Sequence, residues 1–266
     1  IAGNLSLGTN GSAYPGLSAT FVASGTFTGN GNRAVANLTI NGSGITVTLA
    51  TALNVSSVLT LTEGTFNAAN FNVTTERFSS SNSNTRTLNM GSGLWIVNGS
   101  GAAPAVWNTL ISTNLTLNPS TSTISLSSSS AKTFVGGGLT YYNLRLSGVG
   151  ALTIQGSNTF NDITNTVQPS TVTFTAGTTQ TVSNFSLAGT AGNLITINSA
   201  TPGSQFTLSK ASGTINAQYL SIQDSIATGG ATWDALTSNG NVNAGNNTGW
   251  FFGAVAATGN MFLMFN

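Results

Sequence analysis

Between Gly138 and Asp224 the chain reads as a string of short apolar words separated by Gly, Asn, Ser and Thr. In order they are Leu144-Arg145-Leu146, Leu152-Thr153-Ile154, Phe160-Asn161-Asp162-Ile163, Val172-Thr173-Phe174, Phe185-Ser186-Leu187, Leu194-Ile195-Thr196-Ile197, Phe206-Thr207-Leu208 and Tyr219-Leu220-Ser221-Ile222. Each word alternates with the period of a strand and is closed by turn formers. Successive words lie ~8 to 14 residues apart, which leaves no room for helices between them. Alternate words recur every ~20 to 25 residues, the spacing of a coil that lays down two strands and then repeats. The expected fold is all-β: a right-handed parallel β-helix whose coils stack ~4.8 Å apart around an apolar column. At ~22 residues per coil, ~11 coils would make a rod ~50 Å long. An antiparallel β-sandwich also uses short strands and is the alternative, although it has no need of a coil-length period.

Composition sharpens this reading. Only 4% of residues are charged, against roughly 25% in ordinary soluble domains, while 39% are hydrophobic. The polar share is carried by Asn, Thr, Ser and Gly. In a helix these compete with the backbone or lose entropy, whereas Thr suits strands and Asn, Gly and Ser suit tight turns. A formal net charge of +1 without a basic cluster offers no electrostatic footprint for nucleic acid or for an anionic membrane surface. No run reaches the ~18 apolar residues of a membrane span. Weakly charged, flat strands leave exposed edges free to pair, so such a chain either covers its ends or polymerises through them.

The words extend upstream as Leu38-Thr39-Ile40, Ile45 to Leu49, Leu59-Thr60-Leu61, Phe71-Asn72-Val73, Leu88-Asn89-Met90 and Leu94 to Val97. The expected organisation is an N-terminal cap or arm over 1–30, a β-helix over 31–225 and a C-terminal cap and apolar assembly segment over 226–266. Gly101, Pro104 and an exposed-looking Trp107 break the rhythm and mark an irregular insertion near 98–111. Gly136-Gly137-Gly138 reads either as a tight bend against neighbouring backbone or as a plain loop. At the end of the chain, Trp233 and Trp250 suit a cap over the open column. Phe251, Phe252, Met261, Phe262, Leu263, Met264 and Phe265 form a bulky apolar set expected to pack against a second copy or back on its own column.

Catalytic parts are scarce. The chain has no His and no Cys, so the common nucleophile-base pairs and zinc ligands are missing. A carboxylate pair for glycoside hydrolysis would have to come from Asp162, Asp224 or Asp234, which the coil spacing places apart. No enzymatic activity, metal or cofactor is expected. Glycan binding is the stronger site reading, with Trp107, Tyr141, Tyr142, Trp233 and Trp250 as flat faces for sugar rings. Tyr141 and Tyr142 are adjacent, so only one of them can point outward from a strand.

The runs Lys132-Thr133-Phe134, Gly136 to Leu144, Gly156 to Ile163 and Phe174 to Val182 form a joint pattern. It continues in Gly189 to Leu194, Tyr219 to Ser225, Ala227 to Trp233 and Gly245-Asn246-Asn247-Thr248-Gly249-Trp250. Together these resemble a repetitive β-helical module of bacteriophage structural proteins and large secreted bacterial adhesins, over roughly residues 130 to 252 and more loosely before them. The resemblance implies an extracellular, cell-surface or virion-exposed role without catalysis, and it brings no catalytic residues to this chain. In similar proteins the Gly-Asn-Asn-Thr-Gly-Trp segment closes the polypeptide; here 251–266 follow, which points to attachment to another copy. The expected function is a structural or adhesive unit of a filament or fibre. Its expected partners are copies of itself and surface glycans; the alternatives are a glycan-binding module and a polysaccharide-degrading spike.

Overall fold

In a computed structural model, which describes residues 1–8, 14–30, 34–168 and 171–253, the chain winds into a parallel β-solenoid of about 11 turns. Strands pair in parallel with the strand one coil later, as in Thr123–Leu126 with Asn143–Leu146 and Lys132–Val135 with Leu152–Gln155. That pattern excludes the antiparallel sandwich. The one helical element among the described residues is a 3-10 turn, Thr237–Asn239.

Corners follow from the sequence. In Thr159–Asn165 the buried residues are Phe160 and Ile163. Three positions apart, they would face opposite sides of a flat strand. Both point inward because the backbone turns a corner at Asn161-Asp162. Val182 and Phe185 repeat the device one coil later. A strand that rounds a corner serves two faces, so two strands per coil build three stacks.

Each stack is a file of inward side chains in ladder register. The first runs Leu53, Val73, Trp95, Ile124, Leu144, Ile163, Phe185. The second runs Ala19, Leu38, Leu59, Phe78, Trp107, Phe134, Ile154, Phe174. The third holds Val47, Phe66 and Leu88. These residues are buried, and each contributes ~1.5 to 3 kcal/mol of hydrophobic stabilisation if large. Outward positions are filed too: Thr46, Thr65, Thr87 and Thr116 stand in successive register on the third stack.

The ladder passes through both expected domain boundaries. Leu5–Ser6 already pairs with Phe27 and Thr28, and Ser225–Thr228, Thr232–Asp234 and Trp250–Phe251 continue the stacks beyond 225. Residues 98–111 form a long, distorted coil. Ala102, Ala103 and Pro104 are exposed, after which Ala105, Val106 and Trp107 return to the column.

Trp107 is therefore not a surface residue. Its side chain is 0% exposed, with ring centroids of Phe78 at 4.4 Å, Trp95 at 5.9 Å, Phe134 at 6.0 Å and Tyr141 at 6.0 Å. Its indole N–H donates to Tyr141 Oη at 3.2 Å, and Tyr141 Oη donates to Gly136 O at 2.9 Å. The glycine triplet allows this close approach. Gly137 lies at φ +62°, and a Cβ there would sit 1.9 Å from Thr109 O.

Trp107→Ala is expected to lose ~3 to 5 kcal/mol, since it empties the centre of an aromatic cluster. Urea unfolding followed by tryptophan fluorescence and far-ultraviolet circular dichroism checks this. The expected result is a lower midpoint with native β signal before the transition.

Candidate functional site

The first stack is interrupted once. Its seventh file member, Phe185, belongs to Thr179–Ser186, and the next strand of that face is Thr214–Asn216, which starts a separate three-stranded sheet with Thr232–Asp234 and Trp250–Phe251. Among the described residues, Thr214–Asn216 pairs with Thr232–Asp234 alone. It stands farther from Thr179–Ser186 than one ladder step. A cleft of about 350 Å³ occupies the break, lined by Asn184, Phe185, Ser186, Thr214, Ile215 and Asn216 among others.

The alternation of a parallel ladder fixes which peptide groups face this cleft. Thr232 N–H donates to Gly213 O at 2.8 Å and Ala217 N–H to Asp234 O at 2.7 Å. Gly213, Ile215 and Ala217 thus bond toward the next coil, and the peptide groups of Thr214 and Asn216 point into the break. On the opposite wall, Asp162 N–H donates to Tyr142 O and Thr166 N–H to Leu146 O. Ile163 consequently bonds toward Thr179–Ser186 through Asn184 and Ser186, and the peptide groups of Phe185 face the break.

Both ends of the break are closed. Ala188 bridges Gln218, with Gly189 N–H donating to Gln218 O at 3.1 Å. At the other end Lys210 Nζ donates to Ser183 O, and a second cleft of about 260 Å³ lies beside Thr181, Ser183, Lys210 and Ser212. The floor is apolar, formed by Phe185 and Ile215, and Phe185 reaches within 6.4 Å of the Trp233 ring. The rim is neutral and polar: Asn184, Ser186, Thr214, Asn216 and Gln218 are exposed.

Of the five aromatic residues expected to meet sugars, four are buried. Trp107 and Tyr141 sit in the column as described. Trp233 and Trp250 pack edge to face at 5.0 Å on the last coils, and their indoles donate to Thr228 O at 3.1 Å and Ser225 Oγ at 3.0 Å. Satisfying each N–H internally leaves no ring face or donor for a ligand. Tyr142 is partly exposed, on the opposite side of the strand from Tyr141. None of the five lines either cleft. Phe251 is 57% exposed and Phe252 partly so. Met261, Phe262, Leu263, Met264 and Phe265 lie outside the described residues.

Asp224 and Asp162 serve local structure. Asp224, buried at φ +56°, accepts from Gly203 N–H at 3.1 Å and Asn246 Nδ2 at 2.6 Å, holding a turn. Asp162 is half-buried beside Asn184, and its Oδ1 is enclosed without a partner. Burial raises its pKa against the opposing effect of hydrogen bonds from Ser186 and Ile163.

Two buried cations escaped sequence reasoning. Arg86 donates to the carbonyls of Ser80, Asn82, Asn84, Ile111 and Thr113. Lys132 Nζ donates to Ser128 O at 2.9 Å, Gly150 O at 2.8 Å and Gly148 O at 3.4 Å. Both neutralise loop carbonyls that no ladder reaches. The signal in the sequence was their position, a long cation at the start of a strand after a Ser- or Asn-rich run.

No protein-family model matches the chain, and no curated protein or solved structure is significantly similar to it. No helix among the described residues is long and apolar enough to cross a membrane.

Burial lowers the Lys132 pKa to about 8. The unfolded chain therefore holds a proton that the folded chain has released between that value and the ordinary 10.5. Stability must rise with pH across that window, and the penalty of a buried charge is fully present below it. Chemical denaturation at pH 7.5, 8.5 and 9.5 should show the midpoint climbing in the wild type. In Lys132→Met that climb should be absent, whatever the variant's absolute stability.

Proposed function

We propose that the chain is a non-enzymatic structural or adhesive unit of an extracellular filament or virion fibre, joined to copies of itself through its C-terminal end. The observation that carries this reading is the end of the rod. The last described coil leaves Asn243 to Gly245 and Trp250–Phe251 as edge strands, with Val242 44% and Phe251 57% exposed beside them. Among the described residues nothing pairs with this edge, and an edge carrying bulky apolar side chains is a template for another chain.

The remainder of the molecule suits a mechanical task. Stacked ladders around a dry column resist bending and extension along the whole rod, and a neutral exterior of Thr, Ser and Asn lets rods lie close without repulsion. The extracellular or virion setting is read from the sequence resemblance to phage structural proteins and adhesins alone.

The two rival readings draw less support. Glycan binding keeps the polar rim of the cleft, but its aromatic platforms are buried. For a polysaccharide-degrading spike, Asp162 and Asp234 share a face, yet two ladder steps, ~9.6 Å of strand spacing, and the whole break lie between them. The separations used for glycoside hydrolysis are ~5 to 9.5 Å.

Deleting residues 254–266 is expected to abolish assembly while leaving the β spectrum unchanged. Size-exclusion chromatography, negative-stain imaging and circular dichroism of full-length and truncated chains test this. An unchanged oligomer would remove the segment from the mechanism, and a full-length chain monomeric at all concentrations would end the self-assembly reading.

A further inference from the structure

The break in the first stack has the chemistry of a missing strand. On one wall the Phe185 N–H and C=O are turned into it, and on the other those of Thr214 and Asn216. The Ala188 to Gln218 bridge closes one end and the Lys210 to Ser183 hydrogen bond the other. Between these ends lies the cleft of about 350 Å³. A ligand made of sugar rings would meet no aromatic platform here. An extended peptide would meet backbone donors and acceptors on both walls, an apolar floor for one side chain and a polar rim for its neighbours.

We propose that this break is a strand-acceptor site and that its occupant is residues 254–266 of a second copy. The proposal rests on the self-assembly reading above and names the place where the joining segment binds. Three observations favour this occupant. The segment follows Trp250–Phe251, which lies on the same face as the break, so copies meeting at their C-terminal ends bring segment and site together. Its 13 residues reach ~43 Å when extended, enough to cross between molecules. It carries no charge and ends in Met261-Phe262-Leu263-Met264-Phe265, a run able to set an apolar side chain on the Phe185 and Ile215 floor.

Insertion into its own molecule is disfavoured by what would have to be crossed. To enter parallel from Phe251, the chain must pass back over Thr232 and Thr214, whose side chains are polar and exposed. That path buries no apolar surface. A second copy enters directly.

The chain has no cysteine, so engineered thiols report cleanly. Ser186→Cys and Leu263→Cys are made in separate full-length chains, mixed, oxidised and run on a denaturing gel. Covalent pairs are expected, and adding Thr214→Pro to the Ser186→Cys chain should cut their yield at least about tenfold by removing one acceptor-site donor. Thr214 N–H takes no part in bonding to Thr232–Asp234, so this proline leaves the fold's own ladder intact, which circular dichroism verifies. A cross-link forming only within a chain that carries both cysteines would overturn the proposal in favour of self-insertion. Loss of assembly on deleting 254–266, without Ser186 cross-linking and without an effect of Thr214→Pro, would overturn the acceptor site while sparing self-assembly.

Discussion

The backbone ladder between successive coils is the interaction on which everything else in this molecule depends. Most strands are only a few residues long, too short to be stable alone, and the longest, Val35–Leu49 and Leu53–Asn67, span more than one face; all are held because neighbouring coils take up their N–H and C=O groups. A chain built this way needs side chains for only two further tasks. They must fill a narrow column, which Leu, Ile, Val, Phe and the buried tryptophans do, and they must turn corners, which Asn and Gly do. Charge contributes to neither, which is why so little of it is present. Where a corner leaves carbonyls beyond the ladder's reach, the fold spends a cation: Arg86 collects five carbonyl oxygens and Lys132 three. Among the described residues neither has a carboxylate partner; backbone carbonyls hold both, with Ser80 Oγ adding to Arg86, and burial lowers the Lys132 pKa.

The stacking was legible because it is periodic. Words such as Leu144-Arg145-Leu146 and Phe160 to Ile163 carry both the alternation of a strand and the spacing of a coil, and Leu144 and Ile163 are indeed ladder partners. Two coils resisted this reading. Gly101 and Pro104 signalled a departure from the column, and Ala102 to Pro104 do leave it, but nothing local shows that Val106 and Trp107 come straight back. Their return depends on Phe78 below and Phe134 above, residues far away in sequence. The burial of Tyr141 is equally non-local, since its hydroxyl is placed by Trp107 and Thr109 from the preceding coil.

The break between Phe185 and Ile215 was invisible for a related reason. Thr214-Ile215-Asn216 is a strand word like any other, and its distance from Phe185 is close to that between Trp95 and Ile124, which do pair. Sequence spacing reports how much chain a coil consumes. It does not report whether the extra chain is looped outward, keeping the ladder closed, or leaves the next strand standing off from the last. Only pairing on all three faces at once decides, and here the second and third stacks continue unbroken past the place where the first is open.

That asymmetry bears on how a rod could carry an open edge without losing its stiffness. Two of the three ladders cross the break intact, and inside it Phe185 and Trp233 keep the column nearly in contact, so the step remains tied on two sides and packed at its centre. The opening costs the fold only the hydrogen bonds of one short strand. Those groups are not disordered by their lack of partners, because the flanking stacks hold both walls in strand geometry. An edge held in place in this way loses little entropy when a strand arrives, and that is the condition under which backbone pairing yields net affinity. A free terminal edge, by contrast, is fixed from one side only. The interior break is therefore the better-ordered template of the two, even though the rod's end is the more exposed.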